Sequence, residues 1–285
     1  MAARALYIVS TETFAGKTAL CAGLARWLEG TGRRVGYLKP LTVPLPGDDP
    51  EAGDDDARLM QRLLRLTLPA RDLAPVWLDG ALVVSLLRGE ADELPVERVL
   101  AARARQAACD VLLVEGANDW RQGALAGLSA PAVARLLDAR VVVVTRYDGI
   151  LAADRALAAR EALGDRLVGA IFTAVGEPEA GAAAEIVAPA LERRGLPVLG
   201  LMPAERALLA ISVGELVRGL SGRLVVGVEA GDNLIEHLVI GAMNAEAALT
   251  YFRQRANKAV VTGGDRTDLQ LAALETPTTC LVLTG

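Results

Sequence analysis

The chain has 285 residues, a formal net charge of −5 and a pI near 5.2, with 52% hydrophobic and 4% aromatic residues. That length allows one large domain or a domain plus a smaller one, and the apolar content can fill a sizeable core. The acidic balance excludes a broad cationic surface for nucleic acid or anionic lipid, leaving a local basic cradle around a small anionic ligand.

From the N-terminus, Met1-Ala2-Ala3-Arg4 leads directly into an apolar strand, and no apolar run is long enough to span a bilayer. A soluble, untargeted, cytoplasmic protein without a nucleic-acid or membrane partner is expected. Cys21, Cys109 and Cys280 are far apart and His237 is the one histidine, so no zinc-type spacing or thiol-histidine pair is available. The thiols are expected to be reduced and buried, and His237 is given no role.

Short, continuous apolar runs predict strands at 6–9, 35–38, 111–114, 141–145, 167–172 and 198–201. Between them, helical patterns occupy 17–30, 56–66, 96–108, 130–137, 152–163 and 180–194. Strands of this kind belong to an α/β fold whose parallel sheet is covered by helices on both faces. Around Gly214, Ser221 and Gly222 the rhythm resets, placing a domain boundary between 215 and 216. Apolar runs at 223–228 and 235–241, a helix at 245–255, a run at 258–262, a helix at 265–274 and a run at 279–284 then predict a small second α/β domain. Gly285 follows that last run with no covering helix, so the second domain is expected to be C-terminally incomplete.

Lys17, Lys39 and Lys258 are the only lysines among the 30 basic residues. Lys17 ends Ser10-Thr11-Glu12-Thr13-Phe14-Ala15-Gly16-Lys17-Thr18, a strand, loop and helix start in which Gly16-Lys17-Thr18 matches the end of GxxxxGK[ST]. In that motif backbone N–H groups and lysine hold phosphates, while the hydroxyl serves Mg²⁺. Thr11 occupies the usual first-glycine position, and the plainer alternative is an exposed lysine at a helix start capped by Thr13. Lys39 follows the second strand and precedes Pro40, so it too falls at the carboxyl edge of the sheet, where ligands gather.

Asp48, Asp49, Glu51, Asp54, Asp55 and Asp56 form an acidic run. It predicts a solvated loop, or a Mg²⁺ ligand at Asp56 and, less favoured, at Asp54 or Asp55; Asp56 also suits a helix N-cap. Glu115 ends the third strand, where a carboxylate after four apolar residues needs a metal, a partner such as Lys17, or water. Gly116 after it leaves room for a ligand to approach. In the second domain, Gly263-Gly264-Asp265-Arg266 predicts either an anion nest with Arg266 as clamp or a glycine turn with Asp265 as N-cap.

Taken together, Thr11 to Thr18, Lys39-Pro40, Asp56-Ala57 and Glu115-Gly116-Ala117 resemble the dethiobiotin synthetase-like branch of P-loop proteins over residues 4–215. The resemblance implies ATP and Mg²⁺ as cofactors. Nucleotide contacts would fall at Thr13, Ala15, Gly16, Lys17, Thr18, Gly116 and Thr173, metal contacts at Thr18, Asp56 and Glu115, and any catalysis at Lys17 and Lys39. Val239 to Met243 and Ala259 to Asp268 resemble a DRTGG domain, and the pairing is similar to the N-terminal portion of long phosphate acetyltransferases. Three departures stand out: Ser10 replaces the family's loop-opening glycine, Thr173 replaces an adenine-reading asparagine, and the DRTGG pattern stops early.

The leading expectation is therefore a Mg-dependent ATP-binding protein with a regulatory or sensor DRTGG domain, homodimeric by the same resemblance, and open to a small anionic ligand beside the nucleotide. An acetyltransferase domain is not recognised in the chain. The alternative is an ATP hydrolase or an ATP-dependent carboxylase or ligase that phosphorylates a carbamate or carboxylate held by Lys39. A glutamine-using amidoligase, such as a cobyrinic acid diamide synthase, would need a Cys and His set that is missing here.

Overall fold

The computed structural model describes residues 4–45, 53–91, 94–205, 208 and 210–285, and the chain divides into two compact units, Met1–Ala204 and Glu205–Gly285. Within the acidic run, Asp48, Asp49 and Glu51 lie outside the described residues.

In the first unit six strands form one sheet in the order β2-β3-β1-β4-β5-β6. They are β1 Arg4–Ser10, β2 Val35–Leu38, β3 Val111–Glu115, β4 Arg140–Arg146, β5 Leu167–Val175 and β6 Val198–Pro203, and every pairing is parallel. The chain winds from β1 outward to β2, returns to β3, then crosses β1 to build β4 to β6 on the other side. That reversal opens a crevice at the carboxyl end of β1.

Side chains of β1 alternate between two cores. Tyr7 and Val9 face the layer of α5 Pro95–Ala104, α6 Ala130–Leu136 and α7 Ala152–Leu163; Ile8 faces the layer of α1 Lys17–Gly30 and α2 Asp55–Leu63. Burial on both faces is why the strands are apolar at successive positions. All six predicted strands are present, in the predicted parallel sheet.

Two helices were not anticipated: α3 Ala70–Leu73 and α4 Gly80–Arg88. The second had a local signal, since the Asp79 side chain accepts from Leu82 N–H at 2.8 Å and Gly89 closes the helix at φ +71°. The helix expected over 180–194 is interrupted. It runs as α8 Ala180–Ala182, a π-helical segment Ala183–Val187 and α9 Ala188–Glu192, because Pro189 has no N–H to give the preceding turn.

The second unit holds a two-stranded antiparallel pair, β7 Ile211–Ser212 with β8 Leu234–Ile235, and a parallel sheet β11-β10-β9. Its strands are β9 His237–Ile240, β10 Lys258–Gly263 and β11 Thr278–Thr284; its helices are α10 Val213–Gly219, α11 Ala245–Arg253 and α12 Thr267–Leu274. Ser212 and Glu215 make a capping box on α10, and Asn244 caps α11. Val239, Phe252, Val260 and Leu269 anchor the core. The apolar run at 223–228 is not a strand: Val225, Val226 and Val228 are exposed, and Gly227 turns the chain at φ +75°. Among the described residues no helix is long and apolar enough to cross a membrane.

Gly116 has a structural use in addition to the ligand approach expected of it. Its N–H donates to Ile8 C=O at 2.8 Å, and a Cβ there would stand 3.2 Å from that oxygen and 3.3 Å from Val9 Cα. The missing side chain thus lets β1 pass. Gly116→Ala is expected to cost about 1–3 kcal/mol by overpacking against backbone, read as a lower urea midpoint with an unchanged m-value.

Candidate functional site

The end of β1 and the start of α1 bracket a tight loop. Gly16 takes φ +88°, a left-handed value open to glycine, and exposed Phe14 takes φ +58°. No side chain caps α1, and no acidic residue lies in its first turn. The predicted alternative of a Thr13 cap is therefore not what forms, and the first-turn N–H groups have no side-chain competitor for an anion. Lys17 is buried and donates to Ser10 Oγ at 2.9 Å. Ser10 has one proton, which is directed to Glu12 C=O at 2.8 Å or Asn118 C=O at 3.1 Å.

β3 ends beside this loop and delivers Glu115, a carboxylate with no exposure. One oxygen accepts from Thr18 Oγ at 2.6 Å and the other from the buried Tyr37 hydroxyl on β2 at 2.9 Å. Burial, then the charge of Asp56, push the Glu115 carboxyl up to about 7, against the pull of Lys39, Thr18 and Lys17. Burial lowers the Lys17 ammonium, partly offset by Glu115 and reinforced by Lys39. Cys21 is buried next to Glu115, and both effects push its thiol up and keep it protonated. The predicted direct pairing of Lys17 with Glu115 is replaced by these hydroxyl contacts.

Lys39 is buried and held by two carboxylates, Asp54 at 2.7 Å and Asp56 at 2.6 Å. Burial pushes its ammonium down, but Asp54, Asp56 and Glu115 push harder in the other direction and the net shift is upward. The N-cap of α2 is Asp54, not Asp56: Asp54 Oδ1 accepts from Ala57 N–H at 2.9 Å, and Oδ2 accepts from Thr42 Oγ at 2.8 Å. Asp56 is thereby left half-exposed, with Lys39 as its partner, while Asp55 is exposed and pairs with Arg58. Thr173 donates to Ala15 C=O at 2.7 Å, tying β5 to the loop.

Sequence reasoning missed Tyr37, Thr42 and a buttress around Glu12. Glu12 Oε1 accepts from Arg146 N–H at 2.5 Å, and Arg155 lies 3.1 Å from Glu12 and 2.7 Å from Asp148. Tyr37 carried a faint signal as a polar tip inside a four-residue buried strand. Arg155 carried none. In the second unit Arg266 is no open clamp, because its guanidinium is taken by Asp268 at 2.8 Å and by Met243 C=O at 2.9 Å.

Thr18, Asp56 and Glu115 supply a hydroxyl and two carboxylates, a hard-oxygen donor set that fits Mg²⁺ completed by phosphate oxygens and water. No group of three or more His, Cys, Asp or Glu among the described residues makes a metal cage by itself.

An AAA domain model matches residues 4–212, and a DRTGG domain model matches residues 215–285. The chain belongs to the AAA domain family, in its dethiobiotin synthetase-like P-loop branch. This AAA domain joined to a DRTGG domain corresponds to the N-terminal part of phosphate acetyltransferases. The phosphate acetyltransferase of Synechocystis sp. is 27% identical over 95% of this chain and 39% of its own length, and that of Escherichia coli 25% identical over 95% and 40%. The chain therefore spans about 39% of the length of the curated relatives it matches. Among solved structures, chloroplast FtsY from Physcomitrella patens aligns with a TM-score of 0.42 and 18% identity, over 70% of this chain and 59% of that one.

Folding keeps Glu115 protonated to higher pH than the unfolded chain does, so its contribution to stability is greatest below its ordinary value of 4.5 and is lost as pH rises toward about 7. The loss is expected to be on the order of 3 kcal/mol. Urea unfolding in chelator at pH 5 and pH 8 measures it, and Glu115→Gln is expected to flatten the difference.

Proposed function

We propose that the AAA domain binds ATP with Mg²⁺, and that with the DRTGG domain as sensor it forms a regulatory rather than a group-transferring unit. The observation that carries the reading is the buried Lys17 and Thr18 pair at the uncapped start of α1, with Thr18 bonded to Glu115 at 2.6 Å. First-turn N–H groups, Lys17 and the loop from Thr13 to Gly16 would cradle the phosphates. Thr18, Asp56 and Glu115 would hold Mg²⁺, whose charge offsets that of the phosphates. Gly116 brings β3 alongside β1, and Thr173 braces the loop at Ala15, spending its hydroxyl proton there. Base selectivity is therefore expected to be weak at position 173. A cytoplasmic homodimer is part of the same proposal.

Lys39 weighs against a ligase. The buried Asp54 holds its ammonium at 2.7 Å even with Asp56 given to Mg²⁺, so it offers a carboxylate or carbamate acceptor little free charge. The activity of the relatives is not carried over, since the chain covers under half of their length.

Calorimetry with MgATP is expected to give binding that weakens at least about tenfold in Lys17→Ala, as for loss of a charge-assisted phosphate contact. Equal heats from both proteins, or none from either, would sink the nucleotide reading. ADP release that depends on a diamino acid and bicarbonate and is lost in Lys39→Ala would favour the ligase instead.

A further inference from the structure

A cavity of about 380 Å³ lies in the first unit behind Asp54, between α3 with its following segment and α5. Its size is at the lower end for small-molecule sites. Ala74, Pro75, Ala101, Ala102 and Trp77 give it an apolar part to its lining. Arg71, Arg98 and Arg105 line it as well, together with Asp54 and Asp72.

Both of those carboxylates are already matched. Asp54 serves Lys39, Thr42 and the start of α2, and Asp72 pairs with Arg105 at 2.7 Å. Among the described residues Arg71 has no carboxylate partner and the buried indole Nε1 of Trp77 has no acceptor. Arg71, a surplus cation beside an apolar lining, calls for a ligand of the opposite pattern. We propose that this cavity binds a small organic oxyanion, a carboxylate or phosphate on an apolar body, with Arg71 as its main anion contact.

The cavity shares its wall with the candidate phosphate site. Lys39 N–H donates to Leu73 C=O at 2.7 Å, Thr42 N–H to Val76 C=O at 2.8 Å, and Leu78 N–H to Thr42 C=O at 2.8 Å. The segment carrying Ala74, Pro75 and Trp77 is thus laced to the one carrying Lys39, and Asp54 belongs to both sites. An anion beside Arg71 acts on the same backbone that places Lys39, and any coupling between the sites is reciprocal.

The test uses the full chain with succinate, citrate, inorganic phosphate and phosphoglycolate as probes, read by calorimetry and tryptophan emission. Lys17→Ala removes the P-loop as a competing phosphate site. At least one probe is expected to bind wild type and Lys17→Ala alike, to weaken about tenfold or more in Arg71→Glu, and to be largely retained in Arg71→Lys. The carboxylate and phosphate arms identify the class of ligand. Three results overturn the proposal: no probe binding by about 10 mM, binding that survives Arg71→Glu, or binding lost in Lys17→Ala. Arg71 is exposed, so Arg71→Glu is expected to fold, and an unchanged melting curve checks that it has.

Discussion

The site depends on one buried carboxylate. Glu115 stands at the carboxyl end of β3, between β2 and β1, with no access to solvent. A charge there is costly unless its oxygens are satisfied, and two hydroxyls do this: Thr18 from α1 and Tyr37 from β2. The contacts therefore tie α1, β2 and β3 together, and place a hydroxyl and a carboxylate within one hydrogen bond of each other. Asp56 adds a second negative charge and pushes Glu115 toward its neutral form. Lys17 and Lys39 oppose it.

The two lysines are held by partners of very different strength. Lys17 donates a hydrogen bond to an uncharged serine hydroxyl, whereas Lys39 is gripped by two carboxylates. Two carboxylates hold an ammonium far more strongly than one uncharged hydroxyl does, so a phosphate would draw Lys17 away far more readily than Lys39. Ser10 provides Lys17 with its resting partner. Lys39 acts chiefly as an organiser, joining β2, the cap of α2 and the segment behind it.

Much of the first unit was legible in the chain. Continuous apolar runs follow directly from a sheet buried on both faces, and Gly16-Lys17-Thr18 after a strand marks a phosphate loop because glycine alone takes φ +88° easily. The predictions failed where one short stretch supported two local solutions. Asp54 and Asp56 each suit an N-cap, and only the reach of Lys39 and Thr42 separates them. Scarcity by itself does not mark a lysine as part of the site. Lys258 is fully buried, donates to Thr276 and to Pro277 C=O, and lies 5.9 Å from the Phe252 ring, so it fastens the second unit internally.

By itself, the sequence determined the six strands of the first unit, their burial on both faces, and the placing of both site lysines at the edge of the sheet, since these depend on local periodicity and covalent neighbours. The tertiary structure decided which groups meet. Thr18 and Glu115 are 97 residues apart, and Glu12 and Arg146 are 134 apart, so their pairing follows from strand order alone. It also decided that Gly116 yields to a neighbouring strand and that Arg266 is spent internally. Side-chain partnership is a property of distance in space, and chain spacing carries no such distance until the sheet is assembled.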